Sequence, residues 1–118
     1  MRTINLATAF SGIGAIEHAF KRMNIPHRII FACDIDKFVK QSYFANYEIN
    51  EENWYDDIHD INTKKYKGKV DLLVGGSPCQ SFSSVGKRKG LNDERGNLIF
   101  SYINLIKQIE PEIFIFEN

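Results

Sequence analysis

The segment GGSPCQSFSS, residues 75–84, places Cys79 directly after Pro78 in a glycine-led turn behind an apolar run. A structural cysteine is usually buried inside an element, where it behaves as a small hydrophobe. That description suits Cys33, inside RIIFAC, but not Cys79, whose polar neighbours leave little helix or strand to bury it in. A nucleophilic thiol needs its thiolate form and an exposed position at an electropositive turn. Lys87, Arg88, Lys89 and Arg95 follow Cys79 in the same loop, which favours that role over a structural one.

A second set of positions suits ligand binding. In FSGIGAIE, residues 10–17, Gly12 and Gly14 permit a tight turn and close approach of a ligand to the backbone. The third glycine of a dinucleotide fingerprint is replaced by Glu17, which disfavours a pyrophosphate and hence NAD or FAD. A ligand with only a carboxylate near the helix start fits better; a plain strand-to-helix turn is the competing reading. Asp34, in FACDID, stands where an acidic side chain accepts from ribose hydroxyls, or where it caps a helix, as Asp36 also can. Glu117 and Asn118 close the chain behind a further apolar run.

The elements that must position these residues are legible from the apolar pattern. Residues 4–10, 28–33, 70–74 and 112–116 read as short buried strands, and 13–23, 36–47 and 97–109 as helices. On the first helix Ile16, Ala19, Phe20 and Met23 form one apolar face, and the second carries Phe38, Val39, Tyr43 and Phe44. The stretch between the second helix and the third strand reads as loop, and its lysine cluster TKKYKGK (63–69) as a solvated face. Strands alternating with helices, with apolar runs unbroken by polar positions, predict a doubly wound α/β domain. Its mostly parallel sheet is covered on both faces and joined by right-handed crossovers. Gly12, Asp34, Cys79 and Glu117 each follow a different strand, so all four fall on the carboxyl edge, where such sheets bind ligands.

Composition narrows the class. With 118 residues and 43% apolar side chains, the chain can bury one core. Fifteen basic and 15 acidic residues balance, which argues against non-specific coating of nucleic acid but not against local basic patches. Two cysteines without CxxC spacing suggest neither a disulfide framework nor a zinc site, and His18, His27 and His59 form no cluster, so no metal is expected. The opening MRTINLATAF is too short an apolar stretch for a signal peptide and no run reaches membrane-spanning length, so a cytoplasmic protein is expected.

Taken in order, FSGIGAIE, FACDID, YDDI, GGSPCQSFS and the closing EN resemble the N-terminal half of the catalytic domain of DNA cytosine-5 methyltransferases, over nearly the whole chain. The resemblance implies a Rossmann-like S-adenosylmethionine-dependent fold with sheet order 3-2-1-4-5. It implies that Phe10, Gly12, Ile13 and Gly14 line the methionine part of the cofactor, that Asp34 holds the ribose with Ile35 against the adenine, and that Asp57, beside Ile58, accepts from the adenine amino group. Asp56 or Asp60 could take the place of Asp57. The family usually has glycine where Ala15 stands, which touches the packing of the loop rather than its identity. Cys79 becomes the nucleophile and Glu117 the acid, while Ser83, Lys87, Arg88, Lys89 and Arg95 become DNA contacts on a loop closing over an extruded base.

The family pattern continues past EN with a target-recognition domain and a C-terminal part. The chain is therefore expected to be truncated, one half of a split enzyme or a degenerate gene product. It is expected to be inactive alone, and to self-associate through its last strand. A tRNA cytosine-5 methyltransferase of the same fold and a non-catalytic partner subunit are the alternatives.

Overall fold

The computed structural model describes residues 2–12, 14–76 and 94–117. Strand β1 (Ile4–Ala9) leads into helix α1 (Ala15–Arg22), β2 (His27–Cys33) into α2 (Lys37–Asn46), and a two-residue strand β3 (Trp54–Tyr55) into the short helix α3 (Thr63–Tyr66). Strand β4 (Leu72–Gly76), helix α4 (Glu94–Ile109) and strand β5 (Ile113–Glu117) complete the described chain. Every strand pairing is parallel and the order is β3-β2-β1-β4-β5. That is the order the resemblance implies.

Alternation along each strand divides the core. Ala7, Ala9, Phe31 and Leu73 face α3, α4 and the 3-10 turn at Ile58–Asp60, where Ile58, Ile61, Tyr66, Tyr102, Leu105 and Ile109 are buried against them. On the opposite face α2 packs Tyr43 over Ala32 and Trp54, with Val39 and Phe44 alongside. Small residues on β1 let helices approach on both sides, and each large apolar side chain buried contributes about 1.5–3 kcal/mol.

Two expectations change here. Strand β3 is invisible to periodicity, because two residues carry no pattern; Trp54 and Tyr55 are fixed by pairing with Ala32 and Cys33. The TKKYKGK stretch is not simply solvated, since it forms α3 and buries Tyr66 against Phe31, with ring centroids 4.8 Å apart. Asn62 caps that helix through Lys65 N–H, and its lysines stay exposed.

The apolar face expected on α1 is also different. Met23 ends the helix 64% exposed, and the fully buried side chain is Glu17. Coverage of both faces fails at β5, where Ile113, Phe114 and Ile115 are 60%, 53% and 48% exposed.

Candidate active site at the carboxyl edge of the sheet

The turn after β1 is built from left-handed backbone. Phe10, Gly12 and Gly14 have φ of 55°, 58° and 87°. Glycine takes this conformation freely; for Phe10 it is an unusual one of the kind that clusters at functional sites. A Cβ at Gly14 would stand 2.5 Å from Tyr47 Cε2, whereas among the described residues one at Gly12 would meet nothing within 4 Å. Gly14 is thus required by packing, while Gly12 leaves open space beside the backbone.

The turn is tied to β2 and α2 by a chain of polar contacts. Gly12 N–H donates to Asp34 Oδ2 at 2.9 Å, and Asp36 N–H donates to Asp34 Oδ1 at 3.0 Å. Asp36 itself caps α2 by accepting from Phe38 and Val39 N–H. The two readings of the acidic pair therefore separate, with Asp36 the cap and Asp34 the residue facing the glycine turn. Ser11 Oγ accepts from Cys33 N–H at 3.0 Å and lies 2.6 Å from Thr8 Oγ1. Thr8 and Tyr43 hydroxyls both donate to Glu17 Oε2, and Tyr47 OH donates to Gly14 O at 2.8 Å. Burial, with the Glu17 charge and hydrogen bond adding to it, pushes the Tyr43 phenol well above its ordinary range.

Beyond Asp34, Ile35 is 81% exposed on the rim. Asp34 N–H donates to Tyr55 O at 3.1 Å, which brings the end of β3 alongside. Asp57, just past β3, accepts from His59 N–H and pairs with His59 Nδ1, both through Oδ1 at 2.8 Å. These bonds, the backbone one foremost, hold the Asp57 carboxyl below the usual carboxylate range. Asp56 accepts from Trp54 Nε1 at 3.0 Å through its Oδ1. Ile58 is buried in the core rather than set on the rim. His59 Nε2 lies 2.8 Å from Ser101 Oγ on α4, a link that no cluster of histidines in the sequence announces.

On the other side of β1, Val74, Gly76, Ile115 and Glu117 line a cleft of about 360 Å³ together with Phe10, Ser11, Ile16 and Glu17. A Cβ on Gly76 would be 3.9 Å from Glu117 Oε2, so the Glu117 carboxylate stands beside the residue three positions before Cys79. Tyr102 locks β4 to β5 beneath this cleft. Its ring fills the space a Gly75 side chain would need, and its hydroxyl donates to Leu73 O at 3.3 Å and Ile115 O at 2.7 Å.

The structure therefore brings Phe10, Gly12, Gly14, Asp34, Ile35, Asp57 and Glu117 to one edge. Ile13, Cys79, Ser83, Lys87, Arg88, Lys89 and Asn118 lie outside the described residues, as does the side chain of Arg95 near the start of α4. What sequence reading missed is the support under the turn, namely Glu17, Tyr43 and Tyr47. The four-residue spacing of Tyr43 on α2 and Tyr47 at its C-cap was the available signal, and it reads equally as ordinary core.

Fold and site together define a doubly wound parallel α/β domain with a left-handed glycine turn joined to Asp34 after its first strand. The family model for C-5 cytosine-specific DNA methylases matches residues 1–118, and the chain belongs to that family. It is similar to the orphan methyltransferase M.SPRI of Bacillus phage SPR, at 41% identity over all of this chain and 27% of that protein. It is also similar to the type II methyltransferase M.FnuDI of Fusobacterium nucleatum, at 36% identity over 98% of this chain and 32% of that one. Among solved structures, S. pombe Dnmt2 methyltransferase superposes with a TM-score of 0.70 at 25% identity, covering 95% of this chain and 35% of its own. The chain thus spans about a third or less of the length of these relatives. Among the described residues, no helix is long and apolar enough to cross a membrane.

Proposed function

We propose that this chain supplies the cofactor cradle and the nucleophile of a cytoplasmic, bacterial restriction–modification enzyme. That enzyme transfers a methyl group from S-adenosylmethionine to carbon 5 of cytosine in DNA. The observation that carries the reading is the joining of the open Gly12 backbone to the Asp34 carboxylate at the sheet edge.

The residues fit the cofactor. Each Asp34 oxygen receives one backbone N–H, and an ionised carboxylate has further lone pairs, so acceptor sites remain for ribose hydroxyls. Exposed Ile35 offers an apolar surface for the adenine, and Asp57 Oδ2 an acceptor for its amino group while His59 occupies Oδ1. Ile58, being buried, serves by backbone position rather than side-chain contact. Gly12 and Gly14 with Phe10 shape the turn for the methionine part, and Ile13 between the two glycines is assigned to the same part by the family resemblance alone.

When bound, S-adenosylmethionine supplies an electrophilic methyl group. Carbon 5 of cytosine is too poor a nucleophile to take it unaided. The Cys79 thiolate adds to carbon 6, and the electrons of the 5,6 double bond become available at carbon 5. Glu117 shares or donates a proton at ring nitrogen 3, which stabilises the electron-rich ring. After methylation the carbon 5 proton leaves, the double bond re-forms and the thiolate is expelled. The target base must be extruded from the duplex, and Ser83, Lys87, Arg88, Lys89 and Arg95 are suited to holding phosphates while it is.

Calorimetric titration of the wild-type chain and of Asp34→Ala tests the cradle. S-adenosylmethionine should bind the variant at least about tenfold more weakly, the loss of charge-assisted hydrogen bonds. Equal heats for both, or tighter binding of NAD than of S-adenosylmethionine, would defeat the assignment.

A further inference from the structure

Glu17 is 1% exposed in the first turn of α1, and among the described residues its hydrogen-bond donors are the hydroxyls of Thr8 and Tyr43. A carboxylate this deeply buried is ordinarily paired with a cation or held by a metal. Here no salt bridge to Glu17 occurs among the described residues. Two neutral donors, both to Oε2, engage the carboxylate without cancelling its charge.

Its position inverts the usual electrostatics of such a turn. The amino end of a helix carries roughly half a positive charge and is where α/β folds seat phosphate. A carboxylate in that first turn offsets the helix end. Glu17 also lines the cleft that holds Glu117, and the described lining contains these two carboxylates and no basic side chain. The turn cannot drift away from this charge. Thr8 joins Glu17 to Ser11, and Tyr47 clamps Gly14 at its carbonyl and over its α-carbon.

We propose that Glu17 is a specificity-determining residue that sets the cleft beside the glycine turn for a cationic ligand and against a phosphate-bearing one. This rests on the cofactor reading above and deepens it. Within that reading the sulfonium of S-adenosylmethionine is the charge Glu17 favours. The product, S-adenosylhomocysteine, has lost that charge and gains nothing from it. Glu17 therefore biases the site toward fresh cofactor over spent cofactor.

The test compares affinities for S-adenosylmethionine and S-adenosylhomocysteine in wild type, Glu17→Gln and Tyr43→Phe. Glu17→Gln keeps the shape and should lower the preference for the sulfonium by about tenfold, the scale of one charge–charge interaction in a protein site. Tyr43→Phe removes a donor but leaves the charge, so it should weaken both ligands alike and preserve their ratio. An unchanged ratio in Glu17→Gln overturns the inference while leaving the cofactor reading intact. Failure of wild type to bind either ligand overturns the cofactor reading, and the inference with it. A measurement on wild type alone keeps the proposal falsifiable if Glu17→Gln does not fold. Adenosine should bind at least as well as adenosine 5′-monophosphate, and tighter binding of the monophosphate would overturn the assignment.

Discussion

Cys33 lies at the end of β2, with its backbone N–H and carbonyl both engaged by Ser11 Oγ. Burial pushes its thiol up to about 12, and the charges of Asp34, Asp57 and Asp56 add to the rise. The thiol form therefore dominates there near neutral pH, and the thiolate is the reactive form. Native alkylation followed by peptide mass spectrometry should therefore label Cys79 well before Cys33. Earlier labelling of Cys33 would overturn the placement of both residues. The sequence foretold the inert member of this pair, because a cysteine inside an apolar strand has little choice of setting.

At the scale of elements, the two glycines of the β1–α1 turn should respond differently to a methyl group. Gly14→Ala meets both an unfavourable φ of 87° and the Tyr47 ring, and should destabilise the fold by about 3 kcal/mol or more. Gly12→Ala meets only an unfavourable φ of 58°, and should cost about 1–2 kcal/mol. Urea denaturation reads both, and similar midpoints for the two variants would contradict the packing account. On the far side of the sheet, Tyr102→Phe leaves the Ile115 and Leu73 carbonyls without their shared donor, and should cost about 1 kcal/mol. A loss below a few tenths would mean that water replaces the hydroxyl without penalty.

For the whole molecule, β5 is the feature with the widest consequence. It is an edge of the described sheet, and Ile113, Phe114 and Ile115 are each about half exposed or more. On the neighbouring helix Phe100 and Ile103 are exposed as well. Unpaired strand edges recruit further chains, and contiguous apolar surface marks association sites. The chain should self-associate, most simply as a two-fold dimer through or beside β5. Sedimentation at ~100 µM, within the range where such edges associate, should find a species heavier than the monomer. A strict monomer there sinks the idea, and Ile115→Lys should weaken the dimer if this strand is its seam.

The order of the main elements along the chain was readable in the sequence itself, because unbroken apolar runs and glycine turns are local signals. Parallel strands send Gly12, Asp34 and Glu117 toward the same edge, so the location of these positions followed from connectivity. Strand β3 did not, since two residues acquire strand structure only from the partner they pair with. Nor did the burial of Glu17, which periodicity places beside an apolar face and which, among the described residues, the hydroxyls of Thr8 and Tyr43 support. The assignment of Asp36 as cap and Asp34 as the residue facing the turn was equally a tertiary decision. Both are competent caps locally, and the Gly12 N–H, brought across from β1, separates them. Spacing along the chain reports what a residue can do; the contact that arrives from a distant element decides which of those things it does.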